Sequence, residues 1–281
     1  MSERLACGVL SFRGQPGLVD AVRSLIEQDP RPELVVVNSG GGDPAAALAR
    51  AALDVPVIDH AERLYAGGAR NRVVEATSAP YVAFLAADSI AEPGWVEARL
   101  RAHDTGADAV ACVLTSPPDA SRSASAAHLL QNWRRLPGTP PSERLLFGLS
   151  YDRALFDRFG LFREDLRVGE DSEFNNRIRE AVTIAWAPDV RTQHPGASRP
   201  REFLVDQHRR GKRRAEARRR LYGADPPRRL LTDAVTNPTR AVRHARHTPD
   251  LQDRRALRRG WPMLVPGAVA HLVGGFSART S

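Results

Sequence analysis

The sequence predicts an α/β fold, a mostly parallel central sheet with helices on both faces, followed by a basic C-terminal helical extension. Three observations predict it. Short apolar, β-branched runs alternate with amphipathic stretches through the first half, which is the rhythm of βαβ units. Several of those runs stop at glycine, asparagine or aspartate turns, and open parallel sheets bind ligands beyond such strand ends. The charge is divided: residues 199–260 hold 18 Arg, the only Lys (Lys212) and 7 acidic residues, a balance of +12 in a chain of net +8.

The elements follow in order. "LACGVLSF" is a buried strand. "PGLVDAVRSLIEQ" follows it as a helix, with Leu18, Val22, Leu25 and Ile26 on one face and Pro16 near its start. "ELVVVN" is a second strand, ended by the turn "SGGGD", and Asp43 is placed to cap the helix "DPAAALARAAL". "VPVID" is a short strand, "AGGARNRVVEATS" a helix with a glycine entrance, and "YVAFLA" and "GADAVACVL" are further strands. Thr115–Ser125 and Arg135–Glu143 read as turn-rich loops around "AAHLLQNWRRL". "LRVGEDSEFNNRIRE" opens a helix, and "VTIAWAP" and "VRTQH" read as two short strands. From Pro200 the texture becomes Arg-rich helix. The expected division is residues 1–198 as a ligand-binding domain and residues 199–281 as the extension.

Composition narrows the function classes. The two cysteines, Cys7 and Cys112, are far apart and in no metal-ligand spacing, so neither a disulfide framework nor a zinc site is expected and a reducing cytoplasm fits. No secretory signal is read at the N-terminus. "WPMLVPGAVAHLVGGF" is apolar over sixteen residues but contains Pro262, Pro266 and His271. It is shorter than the roughly 20 residues a spanning helix needs. The basic extension points to a polyanionic surface, either a membrane or a nucleic acid. Nucleic acid is the weaker expectation, because no aromatics interleave the basic run and no binding module is recognised.

The strand-end turns carry the chemistry. "VVVNSGGGD" fits neither a dinucleotide fingerprint nor a P-loop, and by itself reads as a turn with a cap. Asp88, beyond "YVAFLA", is placed either to hold a divalent cation against a diphosphate or to cap the next turn. Glu170, Asp171 and Glu173 crowd a helix entrance, where carboxylates suit the helix dipole and where a general base could also stand.

Taken together, "GVLSFRG", "SLIEQDPRPELVVVNSGGGD", "AGGARNRVVEATSAPYVAFLAADSIAEPGW" and "GLFREDLRVGEDSEFNNRIRE" resemble, in order and spacing, the family-2 glycosyltransferases of the GT-A fold, over roughly residues 5–222. The resemblance implies an inverting transfer of sugar from a nucleotide-diphospho sugar to a sugar, lipid-linked or small-molecule hydroxyl. It implies a nucleotide cradle at Ser11, Phe12, Arg13, Asn38 and Gly40, with Arg70 and Asn71 on the facing helix. Asp88 matches the metal-side carboxylate of a D-x-D motif whose first position is Ala86, and Asn38 stands where a base-binding Asp is common. Asp171, beside Glu170, matches the catalytic base, and His194 the late ligand of an Mg²⁺ or Mn²⁺ ion. Trp133 is either an acceptor-side stacking ring or a core residue. Many relatives act on lipid-linked or membrane-bound acceptors, which implies peripheral placement on an anionic inner membrane face; the other reading of the C-terminal part is that Trp261, Leu264, Val265, Val269 and Leu272 pack on the catalytic domain and the arginines are solvated. Ala86 and Asn38 also motivate the alternative of a catalytically weak GT-A domain that binds nucleotide or a partner, and a nucleic-acid-binding protein is the reading from another class.

Overall fold

β1 (Leu5–Phe12), β2 (Glu33–Ser39), β3 (Val57–His60) and β4 (Tyr81–Ala86) form the parallel part of one sheet. β1 pairs in parallel with β2 on one side and β4 on the other, and β3 lies outside β2. Parallel strands covered on both faces need continuous apolar runs, not alternation, which is how "LACGV" and "VVV" read and how they are buried. The structure, a computed structural model, describes residues 3–146, 148–223, 227–248 and 250–278.

Past β4 the sheet turns antiparallel. β7 (Ser150–Asp152) pairs antiparallel with both β4 and β6 (Ala109–Thr115), and the full order is β3-β2-β1-β4-β7-β6-β8-β5, with β5 at Ile90–Ala91 and β8 at Ile184–Gln193. The helices are α1 (Leu18–Ile26), α2 (Pro44–Arg50), α3 (Ala66–Ala76), α4 (Trp95–Asp104), α5 (Arg122–Asn132), α6 (Ala154–Phe159), α7 (Glu170–Ile178), α8 (Pro200–Tyr222), α9 (Pro227–His247) and α10 (Leu251–Ser277).

The chain divides into two compact units. One is Met1–Val113 with Leu146–Thr192; the other is Leu114–Leu145 with Gln193–Ser281. The first carries the sheet on a core of Val35, Val37, Val73, Val82, Phe162 and Phe174. The second is helical, with Leu129, Trp133, Phe203, Ala241, Ala245 and Leu264 at its centre. This differs from a cut at residue 198/199. The apolar face of α5 needs cover, and it finds it on α10, far along the chain. Two local expectations also change. Ser121 accepts from the N–H of Ala124 at 3.2 Å, so α5 begins inside the segment read as a loop. "VTIAWAP" and "VRTQH" join into the single strand β8, because Pro188 removes a donor but keeps extended geometry.

One buried polar cluster braces the antiparallel half. Arg99, fully buried on α4, donates to the carbonyls of Val110 at 3.0 Å and Gly148 at 2.7 Å and to Ser150 Oγ at 3.2 Å, and its guanidinium lies 3.9 Å from the Trp95 ring centroid. One turn later His103 contacts the Ala107 carbonyl through Nδ1 and Ser150 Oγ through Nε2, both at 2.8 Å. With Ser150 accepting from Arg99, its own proton goes to Nε2, so the neutral Nδ1–H tautomer satisfies every partner.

Burial lowers the His103 pKa from 6.5 to about 4; the Ala107 carbonyl opposes the shift and the Arg99 charge adds to it. The sign follows from linkage. Below 6.5 the unfolded chain takes up a proton that the folded chain refuses until about pH 4, so the contribution is complete above 6.5 and is lost as the pH falls through that window. Urea unfolding between pH 7 and 4 is expected to show a falling midpoint, with a shallower fall in His103→Gln. An unchanged slope in the variant would remove His103 from the account.

Candidate functional site

Strand register builds the first half of the site. Ser11 lies opposite Asn38, Asn38 opposite Asp59, and Leu10 opposite Ala86. The C-terminal ends of β3, β2, β1 and β4 therefore stand in a row, at roughly 4.8 Å per strand. The turns beyond are shaped by glycine. Gly42 has φ +92°, and a Cβ there would sit 2.6 Å from the Arg13 carbonyl carbon. Asn38 is fully buried and its amide is committed. Nδ2 donates to Gly41 O at 3.0 Å and to Asp59 Oδ1 at 2.8 Å, while Oδ1 accepts from Gly14 N at 3.0 Å. Asn38 thus ties three turns together, and the carboxylate it holds in place is that of Asp59.

Two buried polar atoms in this row have no hydrogen-bond partner among the described residues, Ser11 Oγ and His60 Nε2. Orphaned polar atoms at a strand end are what a polar ligand would satisfy. Phe12 lies alongside, with the Arg63 guanidinium 4.7 Å and that of Arg13 5.1 Å from its ring centroid; Arg63 is also 5.5 Å from the exposed ring of Tyr65. Asp88 follows β4 in a half-buried turn, with Ser89 Oγ 3.4 Å from its carboxylate. Ala86 is exposed.

The second half is the entrance of α7, and here the three carboxylates part. Glu170, 5% exposed, pairs with the Arg70 guanidinium on α3. Glu173 pairs with Arg177 at 2.9 Å, one helical turn on. Among the described residues Asp171 alone of the three makes no ion pair. It is half-buried in the first turn, with its Oδ1 accepting from Ser172 N at 2.7 Å. Burial alone would pull the Arg70 pKa down, but attraction by Glu170 and then Asp171 outweighs it and the net shift is upward.

The loop leading to α7 is pinned at successive points. Asn71 donates to Phe162 O at 3.0 Å and to Glu164 Oε1 at 2.9 Å, and accepts from Phe162 N at 3.0 Å. Arg177 donates to the carbonyls of Phe159 and Leu161. A Cβ on Gly67 would fall 2.2 Å from the Arg163 carbonyl oxygen, so only glycine lets α3 approach this closely. Beneath, Phe162 and Phe174 pack at 4.7 Å between ring centroids, and Tyr151 meets Phe174 edge-on at 5.4 Å. Tyr151 donates to Asn175 Oδ1 at 2.8 Å. "AGGARN" on α3 is therefore a clamp on the loop that positions Asp171, and Arg70 and Asn71 are engaged in it.

Two candidates belong to the helical unit. His194 follows β8, with its N–H donating to Thr115 O at 3.1 Å. Trp133 is 5% exposed, stacks on His244 at 5.4 Å and has Arg134 and Arg240 near its ring, so it takes the packing role. Sequence reasoning missed Asp59, Arg63 and Glu164. Asp59 had a signal, since it closes "VPVID" as a strand-terminal carboxylate. Glu164 had none, because its partner Asn71 lies 93 positions away.

Comparison with known proteins adds three findings. The sequence model described as Glycosyl transferase family 2 matches residues 8–163. A curated relative, "Succinoglycan biosynthesis protein ExoU" of Rhizobium meliloti (strain 1021), is 26% identical over 296 residues, spanning 92% of this chain and 82% of that protein. Two solved structures share the fold. The mannosyltransferase PcManGT from Pyrobaculum calidifontis, in complex with GDP-Man and Mn²⁺, has a TM-score of 0.61 at 19% identity, covering 98% of this chain and 88% of that one. S. aureus TarS 1-349 in complex with UDP-GlcNAc has a TM-score of 0.54 at 15% identity, covering 99% and 92%.

The clamp yields a stability prediction. Arg70→Ala strands the Glu170 carboxylate in a buried position and is expected to cost about 3–5 kcal/mol in urea unfolding. The double change Arg70→Met with Glu170→Leu should recover most of that loss. A single variant as stable as the parent would show that the pair does not hold α7 to α3.

Proposed function

This chain belongs to glycosyl transferase family 2, and we propose that it is an inverting enzyme that moves a sugar from a nucleotide-diphospho sugar to an acceptor hydroxyl, with Asp171 as general base. Family and fold make it a glycosyltransferase of the GT-A type. The observation that supports the finer reading is the separate fate of the three carboxylates at α7. Glu170 and Glu173 are each spent on an arginine, and Asp171 is left on a braced helix entrance with its charge unpaired. Glu170 then serves as the group that positions Asp171.

In the reaction Asp171 takes the hydroxyl proton as the acceptor oxygen bonds to the anomeric carbon. The bond from that carbon to the diphosphate oxygen breaks, and its electron pair leaves with the nucleoside diphosphate. The donor lies along the row of strand ends. The Ser11 hydroxyl meets its nucleoside, Asp59 faces the base with Asn38 behind it, and Phe12 and Arg13 flank it, with the Gly40 turn leaving room for the backbone to approach. PcManGT was solved with GDP-Man and TarS with UDP-GlcNAc, which supports a nucleotide-sugar donor for this chain as well. The ExoU relative supports an acceptor in polysaccharide or glycoconjugate assembly, whether a sugar, a lipid-linked sugar or a small-molecule hydroxyl.

A divalent ion, Mg²⁺ or Mn²⁺, fits the residues only in company with the substrate. Among the described residues no group of three or more His, Cys, Asp or Glu could hold a metal. Asp88 would hold it, with diphosphate oxygens and water completing its ligands, as is usual for Mg²⁺. When bound, the ion would stabilise negative charge on the departing diphosphate. We also place the enzyme in the cytoplasm, peripherally on an anionic membrane face; no described helix is long and apolar enough to cross a membrane.

Asp171→Asn is expected to keep donor binding and to lose about 10²-fold or more in turnover. Nucleoside diphosphates should raise the melting temperature with Mn²⁺ and much less in EDTA, and Asp88→Ala should abolish that difference. Near-normal turnover in Asp171→Asn would sink the base assignment. A metal-independent thermal shift without turnover on any donor would favour a nucleotide-binding GT-A domain of little activity, the reading that Ala86 motivates.

A further inference from the structure

The exposed face of α10 changes character along its length. Its first half presents Arg254, Arg255, Arg258 and Arg259; its second half presents Trp261, Val265, Val269 and Val273. The last four recur every fourth residue, so they form one stripe. They are 66%, 67%, 53% and 53% exposed, whereas Leu264, between them in sequence, is 4% exposed and packs inward. The apolar stripe runs about 18 Å at 1.5 Å per residue. Beside it lies an apolar groove of about 610 Å³ between α9 and α10, lined by Val242, Trp261 and Val265 and edged by Arg246 and Arg258. α9 continues the surface with Leu231 and Val235, 50% and 68% exposed. Among the described residues Arg246, Arg255 and Arg258 pair with no carboxylate.

We infer that this face of α9 and α10 is the surface by which the protein sits on an anionic lipid bilayer, with the Val265–Val273 stripe at the headgroup–acyl boundary and Arg246, Arg255 and Arg258 on lipid phosphates. The inference rests on the peripheral placement proposed above and names the residues that produce it. Charge complementarity selects the occupant. A nucleic acid would use the arginines but leave the valine stripe in water. A second copy packed antiparallel about a two-fold axis would lay the arginine half of one α10 against the apolar stripe of the other, leaving the guanidinium groups with no anionic partner. An anionic bilayer satisfies both halves at once, apolar area against acyl chains and guanidinium against phosphate. The prolines set the depth. Pro262 and Pro266 have no N–H, so the carbonyls of Arg258 and Pro262 lack their usual helical donors. Such groups need water or headgroups, which holds the helix in the interface and out of the hydrocarbon core.

The test is co-sedimentation of the full chain with vesicles of phosphatidylcholine alone and of phosphatidylcholine mixed with phosphatidylglycerol, at low salt. Binding is expected only to the mixed vesicles, with a blue shift in tryptophan emission that Trp261→Phe removes while the protein still pellets. The double variant Val265→Asp, Val269→Asp should bind at least about tenfold more weakly. Arg258→Gln should bind about fivefold more weakly, the equivalent of ~1 kcal/mol. All four side chains are exposed, so each variant should melt like the parent without vesicles. Failure of the parent to bind either vesicle would overturn peripheral placement and the surface together. Full binding by the double aspartate variant would overturn the surface and leave peripheral placement standing. A parent that dimerises through Val265, or that binds single-stranded nucleic acid and no vesicle, would assign the face to that partner and overturn the inference.

Discussion

The Arg70–Glu170 ion pair joins α3 to α7 across 100 positions of sequence, and the placement of the α7 entrance hangs on it. Neither side chain is more than 14% exposed, so neither charge has water to fall back on. A pair buried this deeply is weak evidence of added stability, because desolvation offsets attraction. Its value is geometric. Each charge is the other's ion-pair partner, so the pair fixes the helix entrance against α3. Asn71 and Gly67, on the same helix, extend the constraint to the backbone at Phe162 and Arg163. A general base must stand within hydrogen-bond reach of the proton it removes. Asp171, the proposed base, takes its placement from the neighbours that hold the helix entrance.

The row of strand ends is organised by the same means. Asn38, at the end of β2, spends its amide on Gly14, Gly41 and Asp59. The groups left over in this row are the buried, unpartnered Ser11 Oγ, the exposed Asp59, and the aromatic–arginine cluster of Phe12, Arg13 and Arg63. In both halves the residues that stand out in sequence are partly scaffolding, and some of the groups they present were inconspicuous.

The helical unit is braced in the same way. His128 on α5 contacts Asp253 on α10 at 3.0 Å, both 1% exposed. A Cβ on Gly211 would meet His271 O, and one on Gly274 would meet His208 O, each at 1.9 Å, so α8 and α10 touch backbone to backbone. Helices locked this closely leave their outer faces with no packing duty. That is why the apolar stripe from Trp261 to Val273 can remain exposed on a well-packed element.

By itself the sequence determined the strands, because a buried parallel strand must be apolar without interruption and "LACGV", "VVV" and "YVAFL" can be little else. It determined the order of strand-end turns and the helix entrance at Asp171, because glycine, proline and carboxylate preferences act over a few residues. It also determined the family, through the spacing of those turns. The tertiary structure decided which of three adjacent carboxylates is free of an ion pair: Arg177 is the local i,i+4 partner of Glu173, but Arg70, which takes Glu170 and not Asp171, is brought in by packing from 100 positions away. It decided that Trp133 is core, that α5 belongs with the C-terminal helices, and that Leu264 turns inward while Trp261, Val265 and Val269 turn out. Helical periodicity says which residues share a face; only the packed neighbours say which face is covered.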